Sequence, residues 1–334
     1  MNENTPAHNG TGVQVWRRSD VRAFLTWPKL LEVAEEALVA VSSPSALPAV
    51  STQLLVPGAS LHLKAGALLE PPVISVKANL RPDSGSASGA VLVFDYEGQQ
   101  LRAIVASGDL TAMRTAAIAA VATRTLVAKK TPVVAILGAG PVARYTDEAL
   151  AYLGIPGEVR IWSRSPERAA DLVAAATGAD GVASAVGVSG TVGHRAYATV
   201  AEAVAGADVV VTCTPSRTPI VQRADLAPHA VVIAMGADGA GKRELGEGIL
   251  DAATLFVDVA RDALRVGECE FLPEEQAGRV TELGAVLAGG GAVAQVDGLV
   301  VFDSVGSSAV DAAVVGLLVG QPNDDRGGLL YLND

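Results

Sequence analysis

The sequence predicts an α/β protein of two domains, and three observations carry that prediction. Beyond residue 132, short apolar runs alternate with helical stretches, the pattern of a parallel sheet covered on both faces. Between residues 50 and 107 the runs are β-type and joined by turn residues, which predicts a small antiparallel sheet. The chain has 334 residues and is 50% hydrophobic, enough for two cores, and aromatics at only 4% suit short buried strands under closely packed helices.

Taken in order, residues 1–11, "MNENTPAHNGT", are polar, lack the apolar core of a signal peptide, and read as a frayed tail. "SDVRAFLTWPKLLEVAEEALVAV" has helical spacing, with Ser19 as an N-cap and Pro28 opening a second helix. Strands follow in "AVSTQLLV", "ASLHLKAG", "PVISVKANL" and "AVLVFDYEGQQLRAIVAS", the last a hairpin turning at Glu97-Gly98. "GDLTAMRTAAIAAVATRTLVA" is a long helix whose small side chains permit close packing.

After Lys129-Lys130-Thr131-Pro132 come strand "VVAILG", a helix from Pro141, strand "EVRIW", a helix from Pro166, and strands "ADVVVTCT", "AVVIAMG" and "TLFVD". "GVASAVGVSGTVGHRAYATV" is expected to hold one edge strand and a loop. "LVVFDSVGSSAVDAAVVGLLVG" reads as a strand, a glycine turn and an apolar helix that either ends the second domain or packs back on the first.

Composition excludes several classes of partner. Acidic side chains number 36 against 25 basic ones, and the net charge of -11 argues against nucleic acid and against an anionic membrane surface. Cys213 and Cys269 are far apart and form no metal-ligand or disulfide pattern, so a reducing cytoplasm and no metal are expected. No unbroken apolar run is long enough to span a bilayer.

The chemistry is concentrated in a few stretches. In "VVAILGAGPVARYTDEAL", Gly138 allows a tight turn, Gly140 lets backbone approach a pyrophosphate, and Ala143 lets helix meet strand, with Pro141 opening the helix. A second strand ends about twenty residues on, where a ribose-reading residue is expected. That tip carries Ser163, Arg164 and Ser165 instead of an acid. Two hydroxyls and a guanidinium suit the 2'-phosphate of NADP(H), which an acid would repel, so NADP(H) is favoured, with NAD(H) the alternative. The plainer reading is that Ser163 or Ser165 caps the next helix. Asp238 follows a strand's C-terminal end, where α/β sheets place ligands, and Lys242 could pair with it or face solvent.

"GDLTAMRTAAIAAVATRTL", "VAILGAGPVAR", "AMGADGAGKREL" and "FDSVGSSAVDA" occur in an order that resembles the ornithine cyclodeaminase/mu-crystallin family, over about residues 70 to 320. The resemblance implies a Rossmann domain at 126–304 and a discontinuous α+β domain at 1–125 and 305–334 that binds substrate and forms a homodimer. It implies that Lys77 in "VISVKANL" is the active-site lysine, that Arg114 contacts a substrate carboxylate or a nearby phosphate, and that Asp238 stands near substrate amines, with Lys77 or Asp238 supplying the proton, directly or through water. Thr212, Thr214 and Pro215 resemble the nicotinamide-side loop, Met235 and Gly236 precede Asp238 at the cofactor, and Asp303, Ser304 and Gly306 resemble a closing motif near the nicotinamide ribose.

Two departures matter. Val142 stands where the family normally has a glutamine near the cofactor phosphates. The stretch from Ala23 to Leu80 contains no arginine, whereas typical members use one there to grip the substrate carboxylate. His62 and Lys64 are the candidates to replace it, Lys64 as a point charge or His62 as an acid; both also read as solvated strand residues. The expected activity is an NADP(H)-dependent imine or ketimine reductase or amino-acid dehydrogenase acting on a small molecule. An ammonia-releasing amino-acid cyclodeaminase and a nicotinamide-dependent small-molecule binder are the alternatives.

Overall fold

The computed structural model describes residues 12–43, 47, 49–70, 72–82, 87–178, 192–291, 297–319 and 328–330. Its strands are β1 (Val13–Trp16), β2 (Val50–Val56), β3 (Ala59–Leu68), β4 (Val73–Pro82), β5 (Ser88–Asp95), β6 (Gln100–Ala106), β7 (Val133–Leu137), β8 (Glu158–Trp162), β9 (Gly193–Tyr197), β10 (Val209–Thr212), β11 (Val231–Ala234), β12 (Ala253–Val257), β13 (Val280–Glu282), β14 (Leu299–Asp303) and β15 (Gly328–Leu330). Its α-helices are α1 (Arg18–Phe24), α2 (Trp27–Val41), α3 (Ser107–Leu126), α4 (Pro141–Tyr152), α5 (Pro166–Thr177), α6 (Val200–Val204), α7 (Ile249–Ala252), α8 (Ala260–Val266), α9 (Leu283–Ala288) and α10 (Ser308–Val319). The tail 1–11 and residues 181–191 of the stretch before β9 lie outside the described residues.

By contact the chain forms two units: Met1–Thr26 with Leu47–Leu110 and Asp311–Asp334, and Trp27–Ala46 with Thr111–Val310. These bounds differ from the expected 1–125, 305–334 and 126–304. Residues 27–46 join the second unit because α2 packs on α9, where Gly284 has no room for a Cβ against the Leu38 carbonyl.

The first unit is a seven-stranded sheet in the order β15-β1-β6-β5-β4-β3-β2. From β2 to β6 it is antiparallel, as expected, and β1 adds in parallel to β6. Strand β1, four residues long, was not foreseen in the sequence. Along β4, Val73, Ser75, Lys77 and Asn79 are buried while the alternate positions are not, so one face of this interior strand is covered. Helix α1 begins at Arg18, not at a Ser19 cap: the Arg17 N–H donates to the Asp20 carboxylate at 2.9 Å, which puts Ser19 inside the first turn. The hairpin turns through Tyr96 to Gln99, with Gln99 at φ +51° and the Gly98 N–H donating to Asp95.

The second unit is an eight-stranded sheet in the order β13-β12-β14-β11-β10-β7-β8-β9, parallel throughout. Strands β10, β11 and β14 are buried at every residue, which is why they read as unbroken apolar runs. Strand β9 takes the edge position expected for it. In the part of α3 that belongs to this unit, Ala116, Ala117, Ala119, Ala120 and Ala122 are all buried, so small side chains surround the helix. The order reverses between β7 and β10, and such a switch point opens a crevice at the strands' C-terminal ends.

Candidate functional site

A cavity of about 240 Å³ lies at that switch point, lined by the turns after β7, β8 and β10. Gly138, at φ +137°, donates its N–H to the Trp162 carbonyl at 2.8 Å, and a Cβ on it would come within 2.7 Å of the Cys213 sulfur. Gly140 caps α4 without a side-chain acceptor, and a Cβ there would meet open space. The first-turn N–H groups of α4, with Pro141 at its start, are thus left for a ligand, which suits an anion. These residues fit the pyrophosphate of a dinucleotide.

Ser163, Arg164 and Ser165 all line the cavity, and Arg168 lines it from the first turn of α5. Sequence reasoning missed Arg168, although its spacing from Arg164 matches one helical turn. Ser165 also caps α5: its Oγ accepts from the Arg168 N–H at 3.4 Å and donates to Glu167 at 2.8 Å. Ser163 Oγ accepts from the Ser165 N–H at 3.3 Å. None of the cavity-lining residues is acidic.

The turn after β10 adds Cys213, Thr214, Pro215 and Ser216 to the lining; Thr212, Pro141, Val142, Met235, Gly236 and Ser304 do not line this cavity. Thr212 is fully buried and donates its hydroxyl to Glu244 at 2.7 Å. Glu244 also accepts from the Thr214 N–H at 2.7 Å, the Thr214 hydroxyl at 2.6 Å and the Gly236 N–H at 3.0 Å. One buried carboxylate therefore fixes the turns after two adjacent strands, and a Cβ on Gly236 would overlap it. Glu268 in turn accepts from the Glu244 N–H at 2.6 Å and the Leu245 N–H at 3.2 Å.

Two further buried carboxylates continue this support. Asp303 accepts from the Cys269 N–H at 2.9 Å, and Asp258 accepts from Ser304 Oγ and the Gly306 N–H, each at 2.8 Å. Burial pushes all four acids up, against the hydrogen bonds that favour ionisation: Glu268 to about 8 and Asp303 to about 7, with neighbouring carboxylates adding to the shift. Arg114 is buried, and a Cβ on Gly306, at φ +76°, would come within 2.7 Å of its guanidinium, so the arginine lies against the turn after β14. Half-buried Asp238 pairs with Lys242, which also reaches the Gly236 carbonyl at 3.5 Å.

In the first unit, Lys77 is buried on β4 and donates to the fully buried Asp311 of α10 at 2.5 Å. Its cross-strand partner on β3 is Lys64, and His62 stands opposite Asn79. His62 Nε2 lies 3.2 Å from Gln53 Nε2 and 3.1 Å from Ser60 Oγ. Among the described residues, no three His, Cys, Asp or Glu side chains form a metal-ligand set, and no helix is long and apolar enough to cross a membrane.

A family model described as "Ornithine cyclodeaminase/mu-crystallin family" matches residues 79–321. The chain belongs to this family. The ketimine reductase mu-crystallin of Mus musculus is 33% identical over 70% of this chain and 69% of its own length. The family fold is shared by the crystal structure of the iminosuccinate reductase of Paracoccus denitrificans in complex with NAD+, 25% identical, with a TM-score of 0.78 over 92% of this chain and 95% of that one. An archaeal alanine dehydrogenase dimer with bound NAD gives a TM-score of 0.82 over 96% and 99% of the two chains at 22% identity, a likeness of fold.

Proposed function

We propose that the chain is an NADP(H)-dependent oxidoreductase that reduces the C=N bond of a small imino acid, cyclic or open-chain. The observation that carries this reading is the cavity lining, which includes Ser163, Arg164 and Arg168 and no acidic residue, although Glu167 accepts from the lining Ser165. Two guanidinium groups suit a 2'-phosphate, and NADPH is the usual reductive currency. Gly138, Gly140 and the start of α4 would hold the pyrophosphate, Thr214 and Pro215 the nicotinamide side, and Met235, Gly236 and Ser304 the backbone frame beside it.

When bound, the nicotinamide supplies a hydride to the imine carbon. The chain's own part is the proton and the placement. Lys77, held by Asp311, donates a proton at the substrate nitrogen, so that hydride and proton together turn the imine into an amine. Arg114 offers two parallel bonds to a carboxylate or a phosphate. The similarity to an iminosuccinate reductase and to a ketimine reductase supports the substrate class.

A homodimer belongs to this reading. Strand β2 is the sheet's edge and exposed along its whole length, with Leu54 and Leu55 57% and 73% exposed, an apolar edge that a second copy would cover. One observation favours a second reading: Asp238, paired with Lys242, suits the amine chemistry of a cyclodeaminase. The test is to follow NADPH and NADH absorbance with cyclic imines, and with keto acids plus amines, while measuring ammonia from ornithine and lysine. Imine-dependent NADPH loss is expected; ammonia without net cofactor change would establish the cyclodeaminase instead, and silence in both the binder.

A further inference from the structure

We propose that Glu167 is a specificity-determining residue for the cofactor: its carboxylate competes with a bound 2'-phosphate for the Ser165 hydroxyl and so restrains the preference for NADPH over NADH. The inference rests on the reading of Ser163, Arg164, Ser165 and Arg168 as the 2'-phosphate subsite. Glu167 itself does not line the cavity, but Ser165, which does, donates its hydroxyl to it at 2.8 Å.

Helix capping fixes where that carboxylate sits. Ser165 is the N-cap of α5 and Pro166 its first residue, so Glu167 is the second residue of the helix. Its exposed side chain folds back over the helix start. There the Ser165 hydroxyl first, and then its own backbone N–H, hold its carboxyl below the usual range, so it is an anion at neutral pH on the positive end of the helix. Among the described residues it makes no ion pair with Arg164 or Arg168, so it turns to the hydroxyl and leaves both guanidinium groups to the cavity.

Ser165 cannot serve two anions at once. Its Oγ accepts from the Arg168 N–H at 3.4 Å, and its single proton goes to Glu167. A phosphate oxygen bonded to the same hydroxyl would stand within about 6 Å of the Glu167 oxygen. Phosphate therefore takes the proton only by displacing the carboxylate, and the two like charges repel until it moves. The free ribose hydroxyl of NADH is neutral and leaves the carboxylate where it is, so the handicap falls on NADPH alone.

The test compares wild type with Glu167→Gln and with Glu202→Gln, which removes a first-turn acid of α6 whose capping partner Thr199 is not in the cavity lining. Fluorescence titration gives Kd for NADPH and NADH, and calorimetry gives Kd for adenosine 2',5'-bisphosphate and adenosine 5'-phosphate, which differ only in the 2'-phosphate. Glutamine keeps an acceptor for Ser165 and removes the charge. Glu167→Gln should bind NADPH and the bisphosphate roughly 3- to 10-fold more tightly, leave NADH and the monophosphate within about twofold, and lose most of the gain at about 0.5 M salt. Glu202→Gln should match wild type. Where wild type prefers the 2'-phosphate, a Glu167→Gln variant that binds NADPH no more tightly, or gains equally for NADH, overturns this inference alone. A wild type and a Glu167→Gln variant that are both indifferent to the 2'-phosphate overturn the NADPH reading and this inference with it. If the variant alone acquires the preference, the inference stands and the NADPH reading of the wild type falls.

Discussion

Glu244→Gln tests the idea that one buried carboxylate sets the cofactor turns. Four donors converge on it: two hydroxyls, Thr212 and Thr214, and two backbone N–H groups, Thr214 and Gly236. The hydroxyls can rotate and accept from an amide, but the N–H groups cannot. With the amide nitrogen at Oε2 it faces the Gly236 N–H, and with the amide flipped it faces the Thr214 N–H. Either way one buried backbone donor is stranded, at about 1–3 kcal/mol, and its hydrogen bond to the acid is lost as well. The substitution should destabilise the chain by about 3 kcal/mol in urea unfolding, with an unchanged m-value. NADPH binding should weaken too, since Thr214 lines the cavity. A protonated glutamic acid keeps these contacts as well, because its O–H oxygen still accepts where an NH2 does not. A variant within about 1 kcal/mol of wild type, with normal NADPH affinity, would refute it.

Gly138→Ala should cost about 2–4 kcal/mol, from a φ of +137° and the overlap with Cys213, and Cys213→Ala in the same chain should recover only the part due to the sulfur, as urea titration of the double mutant would read. Stability should fall as pH rises from about 4.5 to about 8, because Glu268, raised to about 8, and Asp303, raised to about 7, bind their protons more tightly folded than unfolded. His194 adds to this fall above its unfolded value near 6.5: burial lowers it, but its hydrogen bond and charge interaction with Asp147 win and raise it. Melting scans across pH measure the slope, and Glu268→Gln should flatten it. Lys77→Met should lower kcat for imine reduction at least 100-fold while leaving NADPH affinity within about threefold, as fluorescence titration would show.

The parallel sheet was legible because strands buried on both faces leave continuous apolar runs, and the glycine turn because each small residue there answers a local demand, a positive φ at Gly138 and an open approach at Gly140. Strand β1, "VQVW", and strand β13, "VTE", escaped notice because three or four residues show no periodicity. Lys77 is singled out in the sequence only through the family resemblance, and its partner Asp311 not at all, because the pair is 234 residues apart and only tertiary packing joins it. Glu244, Glu268 and Asp258 were missed for the same reason: a buried acid supporting a loop looks in sequence like any charged turn residue. Ser165 shows two readings meeting in one residue, since it both lines the cavity and caps α5.

On the proposed function, Arg164 and its neighbours select NADPH for imine reduction. The most direct measurement is kcat/KM for NADPH and NADH at a saturating cyclic imino acid, in wild type and in Arg164→Asp. One guanidinium–phosphate contact is worth about 1.5–3 kcal/mol, so wild type should prefer NADPH by roughly 10- to 100-fold and the variant should lose or reverse that preference. A preference for NADH in wild type, or an NADPH preference untouched by Arg164→Asp, would contradict the account.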